Sequence, residues 1–317
     1  MSRAAAISRA AFLRRLCGAA AIAAWPAAGN GASNGDAMTR APMITRPIPS
    51  TGEAMPVVGL GTWQTFDVGG DSAARQPLRQ VLQLLLDAGG RMIDSSPMYG
   101  RAEAVTGDLL AALGARPKTF LATKVWTTGR ERGIEQMRRS AELLRTDVID
   151  LMQIHNLVDW RTQLATLRQM KAAGRIRYIG VTHYTSGALA DLAQILESEP
   201  GIDFVQLGYS LATRAAETEL LPIAADRGVA VIANQPLERG DLFRRVRRHA
   251  LPGWAREFDR ASWAQLLLKY VLAEPAVTCV IPATGNPDHM QDNLGAGYGS
   301  LPDARQREQI RELWAMM

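Results

Sequence analysis

From residue 45 onward the chain alternates between two kinds of apolar patterning. Short, nearly continuous runs rich in β-branched residues recur as "PVVGLGTW" from Pro56, "RMIDSS" from Arg91, "TFLATKVW" from Thr119 and "VIDLMQIHN" from Val148. They continue as "IRYIGVTHY" from Ile176, "DFVQLGYS" from Asp203, "GVAVIANQPL" from Gly228 and "VTCVIPAT" from Val277. Runs of this kind predict strands covered on both faces. Between them the apolar positions fall at helical spacing, as in Leu78, Val81, Leu82 and Leu85, in Ile134, Met137, Ala141 and Leu144, and in Trp160, Leu164, Leu167 and Met170. Glycines in "DAGG" (87–90), "AAGR" (172–175) and "DRGV" (226–229) stand where each helix must stop before the next strand. Six of the seven strand-to-strand intervals are about 25 to 35 residues, the length of a βα unit, and a last helix is predicted around 302–314. The predicted fold is therefore α/β, a (β/α)8 TIM barrel; a doubly wound sheet is disfavoured because no glycine-rich phosphate turn follows the first strand.

Two features decorate this frame. "ITRPIPSTGEAMPVV" (44–58) predicts an N-terminal β-hairpin turning at "STGE" and plugging the bottom of the barrel. The one long interval holds "ERGDLFRRVRRHALPGWAREFD", an insertion after the seventh strand whose arginine run reads either as a clamp over a ligand or as a solvated basic face.

Ahead of the barrel, Arg9, Arg14 and Arg15 precede "LCGAAAIAAWPAA", an apolar run of signal-peptide length and too short to span a bilayer. Residues 1–28 are read as a signal peptide, 29–44 as a linker rich in Gly, Asn, Ala and Ser, and 45–317 as the barrel domain. The string Ser8 to Arg14 is similar to a twin-arginine export signal, with Ala10 in place of the second arginine. A periplasmic location with no stable membrane anchor is expected; a cytoplasmic one follows if the segment is not a signal. Of the formal charge of +5, residues 1–44 carry +4 (five arginines against Asp36) and the remainder +1. A nearly neutral body argues against a nucleic-acid partner. Cys279 is the sole cysteine of the barrel, which excludes an internal disulfide there, and "VTCVIP" predicts it buried.

In such a barrel, chemistry belongs at the C-terminal ends of the strands. Asp94 ends the second predicted strand, Tyr99 follows in its loop, Lys124 ends the third and His155 the fourth. Taken singly, each has an ordinary explanation as a cap, a snorkelling cation, a packed ring or a core histidine. Jointly they form a set. A buried Lys124 needs the counter-charge of Asp94, and the cation should favour the phenolate of Tyr99, lowering its pKa from about 10. His155 could hydrogen-bond a substrate oxygen beside that phenol, so the group could protonate a carbonyl oxygen as a hydride arrives.

With "GLGTW" (59–63), "IDSSPMYG" (93–100), "ATKVW" (122–126), "QIHN" (153–156), "IGVTHY" (179–184), "FVQLGYS" (204–210) and "IPATGNPDHMQDN" (281–293) in this order, the sequence resembles the aldo-keto reductase superfamily. The resemblance implies NAD(P)H-dependent reduction of an aldehyde or ketone, with Asp94, Tyr99, Lys124 and His155 as the tetrad. Tyr99 would be the general acid, Lys124 and Asp94 its tuners, and His155 the group that orients the carbonyl. It implies nicotinamide contacts from Gly61, Thr62, Thr182, His183 and Gln206. Asn234, in place of a stacking aromatic, and Leu237 belong to the same set. Thr284 and His289 would face a 2′-phosphate, and Asp292 and Asn293 the adenine. Ala283 and His289 stand where many members carry lysine and arginine, so NADP is favoured over NAD on family habit alone. Trp63, Met98 and Trp126 would wall a pocket for an apolar or aromatic carbonyl compound, and no metal is expected. The alternative is a non-catalytic cofactor-binding sensor or partner subunit on the same barrel.

Overall fold

The structure is a computed structural model that describes residues 42–258 and 261–317. The leader at 1–28 and most of the linker lie outside the described residues. Thr45–Pro47 (β1) and Ala54–Pro56 (β2) pair antiparallel, with Thr45 opposite Pro56. The turn falls at Ser50–Glu53 as the sequence predicts, and Gly52 there takes a φ of 75°, a conformation that side chains disfavour. Ile48 and Met55 of this hairpin are fully buried beside Phe120, Tyr178 and Phe204, so they stopper the barrel. Glu53 fastens the stopper: it accepts hydrogen bonds from the Tyr178 hydroxyl at 2.8 Å and from Arg91 at 3.0 Å, and it pairs with Arg177.

Eight strands then run in one parallel sheet in chain order. They are Leu60–Gly61 (β3), Met92–Asp94 (β4), Phe120–Val125 (β5), Ile149–His155 (β6), Ile176–His183 (β7), Phe204–Gly208 (β8), Ala230–Asn234 (β9) and Val277–Val280 (β10). Parallel bridges Val58↔Val280 and Gly61↔Ala283 bring the first strand against the last, giving the predicted (β/α)8 barrel. Its ring is filled by the alternation of strand side chains. Met92, Phe120, Ala122, Leu151, Tyr178, Phe204, Ala230, Ile232 and Cys279 form the apolar interior. One or two steps of two residues further along the same strands, the inward positions become Asp94, Lys124, Gln153, His155, Thr182, Gln206 and Asn234. The period of two thus carries an oily floor into a polar mouth without changing the backbone.

The outer layer holds helices Ser72–Asp87 (α1), Ala102–Ala112 (α2), Arg130–Leu143 (α3), Trp160–Ala172 (α4), Leu189–Ser198 (α5), Leu220–Asp226 (α6), Asp241–Val246 (α7), Trp263–Leu272 (α8), Pro287–Gly295 (α9) and Ala304–Met316 (α10). Helix α1 buries the predicted Leu78, Val81, Leu82 and Leu85, and Asp71 caps it through the Ala73 N–H. Helix α3 differs from expectation: Gly133, Met137 and Ser140 are buried with Leu144, while Ile134 and Ala141 are only partly so. The reason is close packing on α4, where a Cβ on Gly133 would lie 2.3 Å from the Gln163 side-chain oxygen. In the insertion after β9, Arg244 pairs with Asp241 at 2.6 Å. Arg245 lies 4.3 Å from the Trp314 ring and donates to the Trp314 carbonyl at 2.7 Å, so it seats α10.

Candidate active site

Strand order decides which polar residues meet. Asp94 on β4, Lys124 on β5 and Gln153 on β6 come from consecutive strands, and the register Lys124↔Gln153 sets the last two side by side. Lys124 donates to Asp94 Oδ2 at 2.6 Å and to the Ser95 carbonyl at 2.7 Å, with both side chains almost fully excluded from solvent. Burial by itself pushes the Lys124 ammonium down, and Asp94 and the Tyr99 oxygen more than reverse it, leaving its pKa raised. The Lys124 Nζ stands 5.1 Å from the centroid of the Tyr99 ring.

Tyr99 departs from the sequence expectation. Its pKa is raised rather than lowered, because removal from water outweighs the charge and hydrogen bonding of Lys124, and the carboxylate of Asp94 adds to the rise. The cation reduces the cost of forming the phenolate without making it the resting form. Tyr99 is a protonated donor with a partner for its anion.

His155 meets Tyr99 edge to face, with centroids 6.0 Å apart, and Trp126 at 6.5 Å. Its Nδ1 lies 3.1 Å from the Ser96 hydroxyl oxygen, which also takes the Met98 N–H at 3.4 Å. With the Ser96 hydroxyl as donor to Nδ1, the neutral ring carries its proton on Nε2. Burial, then the charges of Lys124 and His183, hold the imidazole well below its ordinary pKa. A neutral N–H donor thus stands beside a protonated phenol and a buried ammonium.

Residues 57–315 match the family described as the aldo/keto reductase family. The chain belongs to that family. Among its relatives, the Escherichia coli (strain K12) protein named methylglyoxal reductase YeaE is 30% identical over 250 residues, 76% of this chain and 84% of that one. The NADH-specific methylglyoxal reductase of the same organism is 26% identical over 320 residues, covering 81% and 94%. A solved aldo-keto reductase from Klebsiella pneumoniae in complex with NADPH superposes with a TM-score of 0.73 at 26% identity, covering 86% of this chain and 96% of that one. This chain is accordingly an oxidoreductase that reduces carbonyl groups with a nicotinamide dinucleotide.

Of the residues of this aldo-keto reductase expected to hold the nicotinamide, three bear amide and hydroxyl groups that form a cluster. Gln206 accepts from Asn234 Nδ2 at 3.2 Å and from the Thr182 hydroxyl at 3.4 Å, and it donates to Asp94 Oδ1 at 2.9 Å. The Gln206 amide, expected to face the nicotinamide, is thus already engaged within the protein. Asn234 Oδ1 is buried without a partner, and a Cβ on neighbouring Gly208 would sit 3.7 Å from it and 2.7 Å from the Tyr184 carbonyl. The contact with the Tyr184 carbonyl excludes a side chain at Gly208, and the orphaned acceptor of Asn234 fits the primary amide of a nicotinamide. His183 Nδ1 accepts the Thr185 N–H at 3.2 Å, which directs its Nε2 proton outward. Gly61 and Thr62 are buried at the end of β3, with the Thr62 hydroxyl donating to the Asp94 carbonyl at 3.0 Å. Leu237 precedes the short turn Glu238–Gly240 and is partly buried.

Of the residues expected to face the 2′-phosphate and adenine, the Thr284 hydroxyl is occupied by the Asn286 backbone, and Asp292 accepts from Gln265 at 2.8 Å. Asn293 is buried, whereas His289 is exposed on the first turns of α9. Trp63 and Met98 are partly buried, and the Arg239 guanidinium lies 4.4 Å from the Trp63 ring, so the structure covers that wall with a cation. Sequence reasoning did not single out Ser96, Gln153 or Arg239. Ser96 and Gln153 carried a usable signal, since each is two residues from a chosen position, Asp94 or His155. Among the described residues, no cluster of metal-ligating side chains occurs and no helix is long and apolar enough to cross a membrane.

Proposed function

We propose that Tyr99 is the general acid of carbonyl reduction in this protein, with Lys124 and Asp94 as its electrostatic support and His155 as the carbonyl-orienting donor. The observation that carries this reading is the buried Lys124 and Asp94 pair set against the Tyr99 ring beside a neutral His155. The bound nicotinamide supplies the hydride. His155 Nε2–H holds the carbonyl oxygen, and Tyr99 Oη releases its proton to that oxygen as negative charge builds on it. Lys124 then faces the phenolate, and solvent returns the proton. A neutral imidazole N–H is too weak an acid for that transfer, so His155 orients and Tyr99 protonates.

Trp126 beside His155, with Met98 and Trp63, supports an aldehyde or ketone bearing an apolar or aromatic group, and the relatives named for methylglyoxal support aldehydes. NADPH is the proposed reductant, supported by the NADPH complex of the Klebsiella relative and by the exposed His289 as a ligand for the 2′-phosphate. The arginine-flanked apolar leader supports export to the periplasm, and cell fractionation with and without residues 1–28 checks it.

Turnover is tested by NADPH oxidation across a panel of aldehydes, with cofactor binding followed by fluorescence. Tyr99→Phe is expected to lower kcat by about 10²- to 10⁴-fold with cofactor affinity unchanged. Wild-type rates in that variant would remove Tyr99 from the acid role, and cofactor binding without turnover in the wild type would make the protein a sensor.

A further inference from the structure

Asp94 Oδ2 serves Lys124, and Oδ1 is held by two glutamine amides. Gln206 donates to Oδ1 at 2.9 Å and Gln153 at 3.0 Å. The two donors differ in what else they can do. Gln206 has further partners, its Oε1 accepting from Asn234 and Thr182. Gln153 has none: it is fully buried inside the barrel, and its Oε1 has no hydrogen-bond partner. The amide cannot be turned over to relieve that oxygen, since the turn would point it at the Asp94 carboxylate.

A buried carbonyl oxygen left unpaired costs stability, and the inward position one step below on the same strand is filled by Leu151 at no such cost. Room for the longer side chain comes from Gly180, its register partner on β7, where a Cβ would lie 2.9 Å from Gln153 Cγ. Packing therefore gives no reason for glutamine here, and the bond to Asp94 does. We propose that Gln153 is a positioning residue for catalysis: its amide pins Asp94 Oδ1 so that Oδ2 stays aligned on Lys124, whether or not Gln206 turns to the cofactor. A carboxylate without that pin is free to rotate and offer Lys124 either oxygen, which loosens the ammonium against Tyr99.

The inference rests on Tyr99 as the acid, and two variants separate the claims. Gln153→Met keeps the shape and removes the donor. It is expected to lower kcat about tenfold, the scale of one hydrogen bond to a charged group, with KM and cofactor Kd unchanged. Gln153→Glu is isosteric and donates to Asp94 only while its own carboxyl is protonated. Its kcat should climb toward the wild-type value as pH falls, along a limb that neither the wild type nor Gln153→Met shows. A packing role would move melting temperature in both variants and create no such limb. Wild-type kcat in both variants, or a deficit in Gln153→Glu that is the same at every pH, overturns the proposal. If Gln153→Met fails to fold, the pH series on Gln153→Glu decides alone. Tyr99→Phe in the same assay reports on the acid: retained turnover there refutes that assignment independently of either glutamine variant.

Discussion

Replacing Asp94 by asparagine removes one charge from the most buried ion pair of the barrel mouth and leaves the other in place. The side chains of Lys124 and Asp94 are 1% and 3% exposed, so neither solvent nor salt can substitute for the missing partner. Leaving a buried charge unpaired costs about 3–5 kcal/mol, which for a domain of this size is a fall in Tm of roughly 10 °C. The pH dependence carries the diagnostic sign. In the wild type the folded Lys124 has its pKa raised above the ordinary lysine value, so the stability from the pair is complete at neutral pH. It is lost only as the pH climbs through the folded value. In Asp94→Asn the desolvation of Lys124, the largest influence on it, is no longer opposed by Asp94 and should bring the ammonium below its unfolded value. The folded variant then binds fewer protons than its unfolded chain, so its stability deficit should narrow as the pH rises toward the ordinary lysine value. Removing both charges in Asp94→Asn/Lys124→Met should restore most of the stability while turnover stays lost. Urea unfolding across that pH range measures both effects. A deficit that does not change with pH, or a double variant as unstable as the single one, would refute an uncompensated buried ammonium as the cause.

Because His155 is held well below its ordinary pKa, reductase kcat/KM should show no limb between about pH 6 and 7; an acid limb there that disappears in His155→Gln would contradict the neutral donor. The raised pKa of Tyr99 places the basic limb of reduction above about pH 10, and a rate already halved at pH 8 would count against it. His289→Ala should weaken NADPH binding more than NADH binding, with equal losses excluding contact with the 2′-phosphate. Glu53→Gln should lower the melting temperature by loosening the hairpin that closes the barrel bottom, with turnover unchanged at assay temperature.

The departures from the sequence expectation share a cause. Ile134 was expected on the buried face of α3, yet Gly133 and Ser140 occupy it, because two helices at close approach select for small side chains over apolar ones. Tyr99 was expected to be acidified by a neighbouring cation, and the cation is there. Its effect is outweighed by desolvation, a quantity set by everything packed around the phenol. Gln206, expected at the nicotinamide, is also bonded to Asp94, Thr182 and Asn234, side chains from three other strands that its own segment could not name.

The sequence by itself determined the barrel and most of the polar residues at its mouth, Gln153 and Ser96 excepted. Strand and helix periods, the glycine stops and the switch from apolar to polar inward positions are all local patterns. Tertiary structure alone decided how those residues share partners. Which oxygen of Asp94 serves Lys124, which partners each glutamine amide meets and whether burial or charge governs Tyr99 depend on distances of about 3 Å between strands far apart in the chain. The outcome is a balance of desolvation against Coulomb attraction, and no single segment contains both terms.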